Sequence, residues 1–390
     1  MNYITLEAGK GEGVIFSLDE LLQHLEQVQD KRKPRGQRYR LAIILMIVVL
    51  AKLSGQDNPY AMADWADARR EALLKTLRLT RPRLPAHNTI RRTMATAFEV
   101  GELEREIGRF LHEVYGGHNS ILVVLDGKTL RGTIPAGKTQ GVHLLAAYLP
   151  EEGVVLFQVE VETKENEIKA APRIIASLDL RGRVVCGDAM FTHRQLSVDI
   201  LRQGGDFIWF LKDNQARMKA DVAQFFESPR QAPGWHATPL PQDVAQTQSK
   251  GHGRLEVRTL TAIPDETAYL DWPGLQQVFK LERTVTKLAT GEVRTEVIHG
   301  LTSLDPERAS AQQLLTYTRA YWGIENGLHY RRDKTLHEDA TRMSHTHQAR
   351  VLAAVNNFVI ALTKKLGFDN LASARRHFNA RIDICLATSP

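Results

Sequence analysis

Along the first 116 residues, hydrophobic positions recur with the spacing of an α-helix. Five stretches show this pattern, at residues 17–30, 39–54, 60–78, 89–99 and 101–115. The second stretch holds the longest apolar run of the chain, which is too short to span a bilayer and leads into Lys52. We expect that run to form a buried helix. The pattern as a whole predicts an N-terminal all-α domain over residues 1–116.

The period of the pattern changes after Gly116 and Gly117. Apolar runs of strand length follow, first three in succession and then two that each come after a helical stretch. They cover residues 121–126, 142–149, 154–162, 183–188 and 206–211. Three strands followed by helix–strand–helix–strand predict a mixed α/β sheet with helices on both faces. We assign residues 117–212 to the first part of this core.

The next segment, residues 213–305, differs in character. Pro and Gln are common in 229–249, and strand-like runs then appear at 254–262, 277–285 and 293–301. This composition predicts a β-rich insertion. Helical spacing returns at Ser310 and continues to about residue 332, and an apolar helix is expected at 347–366. We assign residues 306–390 to these C-terminal helices.

The composition narrows the class of protein. Of the 390 residues, 43% are hydrophobic and 25% are charged, which is ordinary for a globular chain. The net charge of +6 favours an anionic partner, although it is spread over a long chain. Cys186 and Cys385 belong to no metal-binding pair, which argues against a zinc site or a disulfide framework. The polar, acid-containing start predicts no signal peptide, so we expect a cytoplasmic protein without membrane spans.

Three acidic residues carry the strongest chemical signal. Asp126 and Asp188 each end an apolar run, and Glu325 lies inside a helical pattern. Each alone has an ordinary explanation, as a turn aspartate or a solvated helix face. If the first and fourth strands of the sheet are neighbours, however, the two aspartates meet and a helix glutamate can complete the site. Three carboxylates suit two divalent metal ions, and the chemistry that needs them is in-line attack on a phosphodiester.

Cationic residues flank these acids. Glu325, His329 and Arg332 have the i, i+4, i+7 spacing of one helix face, which suits metal and phosphate contacts, although a plain surface pair would look the same. Lys128 and Arg131 follow Asp126 closely and could hold a phosphate beside a metal carboxylate. Their loop lacks the spacing of a nucleotide-binding Walker A motif.

Two further groups of arginines suggest contacts with a DNA backbone. Arg254 and Arg258 alternate along one predicted strand, where a solvated edge strand is an equal alternative. Arg35, Arg38 and Arg40 cluster between short helices, in a loose pattern that a helix-turn-helix-like DNA reader could share.

Asn166 and Glu167 open the helix after the third strand. For both residues we favour capping of that helix and compensation of its dipole.

Several longer motifs occur together and in a fixed order. They are Pro34-Arg-Gly-Gln-Arg-Tyr-Arg-Leu41, Leu125-Asp-Gly-Lys-Thr-Leu-Arg-Gly132, Lys164-Glu-Asn-Glu-Ile168, Gly187-Asp-Ala189, His252-Gly-Arg254, Tyr321-Trp-Gly-Ile-Glu-Asn-Gly-Leu-His329 and Glu338-Asp339-Ala340. With these motifs the chain resembles the H-repeat-associated family of bacterial insertion-sequence transposases, within the DDE class. The resemblance covers nearly the whole chain.

The resemblance implies a ribonuclease-H-like core with a β-rich insertion before the helix that bears the last acid. It also implies Mg²⁺ or Mn²⁺ as cofactor, with Asp126, Asp188 and Glu325 as the catalytic and metal-binding triad. The expected partners are double-stranded DNA, as element ends and target, and a second copy of the chain in a DNA-bound homodimer. Better-studied relatives carry a Tyr-x2-Arg-x3-Glu-x6-Lys signature, of which only the glutamate is kept here, and Arg332 takes the place of the lysine.

Two other functions fit the same sequence. One is a metal-dependent nuclease of the same fold that does not transfer strands. The other is a domesticated DNA-binding protein that keeps the fold for binding or regulation. Specific DNA binding without metal-dependent cleavage would favour the second.

Overall fold

The N-terminal region is mostly helical but begins with a small sheet. The computed structural model describes residues 3–6, 14–79, 81–115, 120–162, 166–227, 240–251, 253–265, 269–343 and 345–387. Strand β1 (Tyr3–Leu6) pairs antiparallel with β2 (Val14–Ser17). The helices that follow are α1 (Leu18–Glu26), α2 (Leu41–Leu53), α3 (Pro59–Ala68), α4 (Arg70–Thr76), α5 (His87–Thr96) and α6 (Val100–Tyr115). The all-α expectation is therefore corrected, because runs of four residues are too short to display a period.

Helix α2 confirms the buried helix expected from the apolar run. All its residues are buried, including Lys52, whose ammonium donates to Asp57 Oδ1 at 2.7 Å and to the carbonyl oxygen of Leu336 at 3.3 Å. Burial lowers the pKa of Lys52, and the charge of Asp57 opposes that shift. Across the described ranges, no helix has the length and apolar character needed to cross a membrane.

The central sheet contains the five predicted core strands. In chain order the elements are β3 (Leu122–Thr129), β4 (His143–Leu149), β5 (Val154–Val161), α7 (Glu167–Ile175), β6 (Val184–Gly187), α8 (Arg194–Arg202) and β7 (Asp206–Leu211). Their order in the sheet is β5-β4-β3-β6-β7. Strand β6 is parallel to both β3 and β7, whereas β4 runs antiparallel to its two neighbours. The first and fourth core strands are thus adjacent, as the placement of the two aspartates required.

The β-rich segment extends this same sheet. After α9 (Ala216–Gln224) come β8 (Asp243–Gly251), β9 (Arg254–Pro264), β10 (Gln277–Lys287) and β11 (Val293–Thr302). Strand β11 pairs antiparallel with β7, and the order continues β11-β10-β9-β8 to give nine strands over the described ranges. The sequence did not indicate β8, because this edge strand is mainly polar and mostly exposed. Strand β8 forms because it pairs with β9, and its own composition does not predict a strand.

The C-terminal region returns to helices. Helix α10 (Ala311–Ile324) ends earlier than the predicted 310–332, and two π-helical segments follow, Glu325–His329 and Arg331–Thr335. Helix α11 (Thr346–Lys365) is buried along most of its length and contacts α5, α6 and β5. Helix α12 (Leu371–Ala387) then contacts α4 and α11.

Alternate residues of β3 face two different cores. Leu122 and Val124 belong to the core shared with the N-terminal and C-terminal helices. Val123 and Leu125 belong to the core built with α7 and α8, which includes Ile174. The strand is buried on both sides, which explains why its sequence is a continuous apolar run.

A short chain of polar side chains lies between α6, β5 and α11. The amide of Gln158 donates to Glu104 and accepts a hydrogen bond from Asn357 Nδ2 at 3.2 Å. Burial raises the pKa of Glu104 to about 7, and the hydrogen bond from Gln158 opposes only part of that shift. Glu104 is therefore protonated in the folded chain at a pH where the unfolded chain is ionised.

We predict that Glu104 makes the protein less stable as the pH rises. The free energy of unfolding falls between the ordinary pKa of 4.5 and about 7, because the folded state holds a proton that the unfolded state has lost. The loss is on the order of 3 kcal/mol. In urea unfolding, Glu104→Gln should remove this part of the decline, so its advantage over the wild type should grow from pH 5 to pH 8. The exposed Glu71→Gln is the control, and an equal effect of both variants would contradict the assignment.

Candidate active site

The carboxyl ends of two parallel strands bring Asp126 and Asp188 together. Leu125 of β3 is in register with Gly187 of β6, and each aspartate is the next residue along the chain. Strand β3 continues past Asp126 to Thr129, so this aspartate lies within the strand rather than at its end. Asp188 directly follows β6 and caps a short 3-10 helix, with its Oδ1 accepting from the amide of Ala189 at 2.8 Å. Both carboxylates are partly exposed.

Asp126 is held from the C-terminal region. The Nε2 atom of His329 lies 2.5 Å from Asp126 Oδ2. His329 is buried, and its Nδ1 has no hydrogen-bond partner within the described chain. The imidazole thus directs one nitrogen at the carboxylate and links the π-helical segment to β3.

Asp188 is paired with a lysine from the next strand. The ammonium of Lys212 lies 2.7 Å from Asp188 Oδ1. Lys212 directly follows β7, which is parallel to β6, so the carboxyl ends of three neighbouring strands meet at one edge. Ligand sites of open α/β sheets form at this edge.

Glu325 begins the π-helical segment that also contains His329. Its backbone therefore belongs to the element that contacts Asp126. The side chain of Glu325 lies outside the described part of the structure. Its proposed role depends on this placement and on the sequence.

Aromatic rings surround the site next to Asp188. Phe210, the next-to-last residue of β7, stacks on Trp322 with ring centroids 5.6 Å apart, and its centroid is 5.1 Å from that of Tyr321. Burial raises the pKa of the Tyr321 phenol, and the charges of Asp188 and Asp126 raise it further. Tyr321 is therefore a neutral hydroxyl near both carboxylates.

The single helix face expected for Glu325, His329 and Arg332 is corrected. The π-helical winding removes the i, i+4, i+7 relation on which it depended. Arg332 points into the protein, where its Nε donates to Glu338 Oε1 at 3.0 Å and to Oε2 at 2.9 Å. Only 1% of Arg332 is exposed, so its position does not support a contact with DNA.

Glu338 is the buried partner of this arginine. Asn356 Nδ2 also donates to it, at 2.8 Å. Burial alone would raise the pKa of Glu338, but the charge and hydrogen bonds of Arg332, together with Asn356, outweigh it and hold the pKa below its usual value. The pair is ionised and fixes the chain just after the π-helical segments.

Lys128 and Arg131 also contact this segment. The ammonium of Lys128 forms an ion pair with Asp333 and lies 3.7 Å from Asp339 Oδ1. Arg131 Nε lies 3.7 Å from Asp339 Oδ2, but most of its side chain is exposed. Of the two cations expected beside Asp126, Lys128 is therefore engaged within the protein, and only Arg131 presents an exposed charge.

A cleft opens from Asp188 along the extension of the sheet. Its volume is about 770 Å³. Among the described residues, six cationic side chains line it against three acidic ones: Lys212, Lys250, Arg254, Arg258, Arg283 and Arg319 against Asp188, Glu256 and Glu296. The cleft is therefore basic and reaches Asp188. Arg254 and Arg258, on strand β9, both line one wall of this cleft. The alternative that they lie on a solvated edge strand therefore does not apply.

The arginines of this wall are partly held in place by acids. Arg258 of β9 is in register with Arg283 of β10, and Glu256 pairs with both, at 2.7 Å from Arg258. Burial lowers the pKa of Arg258, although Glu256 opposes the shift. Arg254 and Arg319 are exposed at the same cleft. Among the arginines of the wall, these two have the greatest access to a bound anion.

The N-terminal arginines lie in a different part of the structure. Arg35, Arg38 and Arg40 surround a 3-10 turn at Pro34–Gly36 and are exposed. Arg40 forms an ion pair with Glu26. Within the described residues, no hydrogen bond or ion pair links this cluster to Asp126 or Asp188. Their role in DNA binding stays a prediction, and His252 of the predicted strand motif lies outside the described residues.

Sequence reasoning missed four cations of the cleft: Lys212, Lys250 on the unpredicted strand β8, Arg283 and Arg319. Lys212 had a usable signal, because it follows a strand at the same edge as Asp188. Arg283 and Arg319 had none, since only the register of β10 and the packing of α10 bring them to the cleft.

Comparison with known proteins identifies the family. Residues 117–362 match the family described as transposase DDE domain, and residues 22–111 match the associated N-terminal family, described as DDE_Tnp_1-associated. The chain belongs to the DDE transposase family. The matched DDE region covers both aspartates, Glu325 and the whole basic cleft. The function is that of an insertion-sequence transposase.

Curated relatives of this transposase span most of its length. "H repeat-associated putative transposase YhhI" of Escherichia coli K12 is 24% identical, over 88% of this chain and 90% of the relative. "Putative transposase YncI" of E. coli O157:H7 is 27% identical, over 90% and 88%. An uncharacterised protein of Xanthobacter autotrophicus is 32% identical, over 66% and 86%. A cryo-EM structure titled as a piggyBac transposase synaptic complex with hairpin DNA covers 95% of this chain and 79% of its own, at 10% identity and a TM-score of 0.43, which is too distant to support an argument.

A DDE domain generally implies the use of a divalent metal ion. The residues of this transposase fit such an ion, because Asp126 and Asp188 present hard oxygen donors from neighbouring strands. His329 contacts a carboxylate oxygen of Asp126, and Lys212 contacts one of Asp188. Positive or hydrogen-bond-donating groups commonly lie beside a carboxylate in this way. Within the described side chains no group of three or more metal-binding residues occurs, and the expected third ligand is Glu325.

We predict that Arg332 stabilises the transposase fold and does not contact DNA. Arg332→Met should lower the free energy of unfolding by roughly 3–5 kcal/mol, because Glu338 is left as an unpaired buried charge. Replacing Glu338 by Met in the same chain should restore part of the stability. Thermal unfolding without DNA measures both effects. A single variant with wild-type stability and weakened DNA binding would show instead that Arg332 reaches the phosphate backbone.

Proposed function

We propose that this transposase cleaves and joins DNA at the ends of its insertion sequence, with Asp126, Asp188 and Glu325 as the catalytic, metal-binding residues. One observation carries the proposal. The parallel pairing of β3 with β6 sets the two aspartates side by side at a strand edge, where a basic cleft ends. Carboxylates beside a basic cleft suit a reaction on a phosphodiester.

The order of the core strands supports a ribonuclease-H-like core. Of β3 to β7, only β4 runs against the others. The sheet carries α7 and α8 on one face, whereas the other packs against the N-terminal and C-terminal helices. We retain the four-part division at residues 116, 212 and 305 as part of the proposal, with β8 to β11 as the insertion that extends the core sheet.

We infer that Mg²⁺ or Mn²⁺ binds at the three carboxylates, as two ions. Bound there, the ions would activate water or a DNA 3′-hydroxyl as nucleophile and stabilise the leaving oxygen. Asp126 and Asp188 hold their oxygens at fixed positions, because their strands are paired on both sides. Before a metal binds, His329 orients Asp126 and Lys212 balances the charge of Asp188.

Tyr321 and the cleft cations act on the DNA phosphate. The raised pKa keeps Tyr321 protonated, so its hydroxyl can donate a hydrogen bond without adding negative charge to the site. Arg254 and Arg319 attract the phosphate backbone, and the exposed Arg131 adds a cation near Asp126. Trp322 offers an aromatic surface beside Asp188. Together these groups draw a DNA strand toward the two aspartates.

We propose double-stranded DNA as the partner, both as element ends and as target. Joining two ends requires that two active sites be held together, so we expect a homodimer in the DNA complex. We place the protein in the cytoplasm, in association with the nucleoid. The exposed cluster of Arg35, Arg38 and Arg40 is proposed as a second DNA contact, distinct from the cleft.

The central prediction concerns the three acids. Asp126→Asn, Asp188→Asn and Glu325→Gln should each abolish cleavage of DNA carrying the element's ends, because losing one oxygen ligand displaces the metal from in-line geometry. Gel-based cleavage assays in Mg²⁺ and in Mn²⁺ measure this, with DNA binding followed in parallel. Binding should persist in all three variants. Near-wild-type cleavage by any one of them would remove that residue from the triad. Specific binding by the wild type without cleavage in either metal would favour a domesticated DNA-binding protein.

A second prediction concerns the cleft. Arg254→Ala combined with Arg319→Ala should weaken DNA binding and reduce its dependence on salt, by roughly 0.9 unit of slope for each phosphate that the arginines no longer neutralise. The matched control replaces Arg202 and Arg217, which are exposed outside the cleft. Both double variants remove the same amount of charge, so only a local interaction separates them. Equal salt slopes for the two double variants would mean that the cleft does not hold the backbone.

A further inference from the structure

Glu167 is the first residue of α7, but it does not cap that helix. The cap is Asn166, whose side chain accepts from the amide of Lys169 at 3.2 Å. The capping expectation thus holds for Asn166 alone. The carboxylate of Glu167 is turned toward the sheet, where it meets β3 next to Asp126.

The approach to β3 is close enough to require glycine. A Cβ atom added to Gly127 would lie 2.6 Å from Glu167 Oε2 and closer still to Oε1. The carboxylate therefore rests on the backbone of the residue that directly follows Asp126. Any side chain at position 127 would push it away.

Two neighbouring side chains hold this carboxylate in place. His143 Nε2 lies 2.7 Å from Glu167 Oε1, and His143 Nδ1 lies 2.8 Å from the hydroxyl of Thr129. His143 and Thr129 are in register on β4 and β3. Both nitrogens of the imidazole are thus used, and one carboxylate oxygen is fixed. Within the described ranges, Oε2 accepts no hydrogen bond and is free to accept one from water.

Glu167 is also accessible from solvent. With His143 and Met190 it lines an open cavity of about 900 Å³. Met190 lies two residues beyond Asp188, so the cavity comes close to the active site. The charge of Glu167 also acts on Tyr321 and raises its pKa, as those of Asp126 and Asp188 do.

We propose that Glu167 is a fourth acidic residue of the metal site, where it positions a metal-bound water beside Asp126. The inference rests on the proposed metal-binding role of Asp126. Mg²⁺ keeps several of its waters and takes only one or two carboxylates directly. A further carboxylate that accepts from such a water orients it, and His143 keeps that carboxylate in the required direction.

The test is the affinity of the full-length, metal-free protein for Mn²⁺, measured by calorimetry. Glu167→Gln keeps the size of the side chain and an oxygen that can accept from His143, but it removes the charge. We expect Mn²⁺ affinity to fall by about tenfold or more, with little change in melting temperature. Glu167→Asp should retain part of the affinity. The matched control is Glu160→Gln, which removes a carboxylate at the same cavity but one that is paired with Arg350, and its Mn²⁺ affinity should equal that of the wild type.

Asp126→Asn, titrated in parallel, separates the two proposals. If it no longer binds Mn²⁺ while Glu167→Gln binds as the wild type does, Glu167 is only a structural partner of His143 and this inference is wrong. If Asp126→Asn itself binds Mn²⁺ normally, the proposed metal site fails and the inference fails with it. If Glu167→Gln unfolds, the single variants Glu167→Asp and His143→Gln decide instead. Wild-type affinity for Mn²⁺ in both of these variants would overturn the assignment.

Discussion

The parallel pairing of β3 with β6 is the constraint on which the active site depends. Its register sets Leu125 opposite Gly187 and so puts the following aspartates side by side. A slip of one residue in either strand would turn that strand's side chains to the opposite face and separate the carboxylates. Glycines protect this register on both strands. A Cβ on Gly187 would lie 2.7 Å from the ring of Phe191, and Gly127 has no room for one beneath Glu167.

The N-terminal and C-terminal helices keep the third element of the site in place. Buried ionic contacts converge on the segment that follows the π-helical turns. Glu338 holds Arg332, and Arg375 contacts both the carbonyl oxygen of Thr335 and the carboxylate of Asp57. Lys52 of α2 joins the same carboxylate. Such buried pairs give little net stability compared with apolar packing, but they hold in a single arrangement elements that are far apart in sequence. The N-terminal and C-terminal regions thereby position the segment that contains Glu325 and His329.

Much of this architecture could be predicted from the sequence, because the core strands are buried on both faces. Their apolar runs mark them without reference to any partner, and the aspartates that follow mark the active edge. What could not be predicted depends on partners distant in sequence. Strand β8 is polar and is a strand only because β9 pairs with it. Arg332 has the sequence spacing of an exposed cation but is buried against Glu338, and Glu167 has the position of a helix cap but contacts β3.

Crystals of the full chain grown with Mn²⁺ and DNA carrying the element's ends would test the central claim most directly, through the anomalous scattering of the metal. The account predicts Mn²⁺ at coordination distance, about 2.1 Å, from carboxylate oxygens of both Asp126 and Asp188. Lys212 and His329 should then have moved off the oxygens that the metal takes. Mn²⁺ bound elsewhere, or no Mn²⁺ at these two aspartates at saturating concentration, would contradict the account.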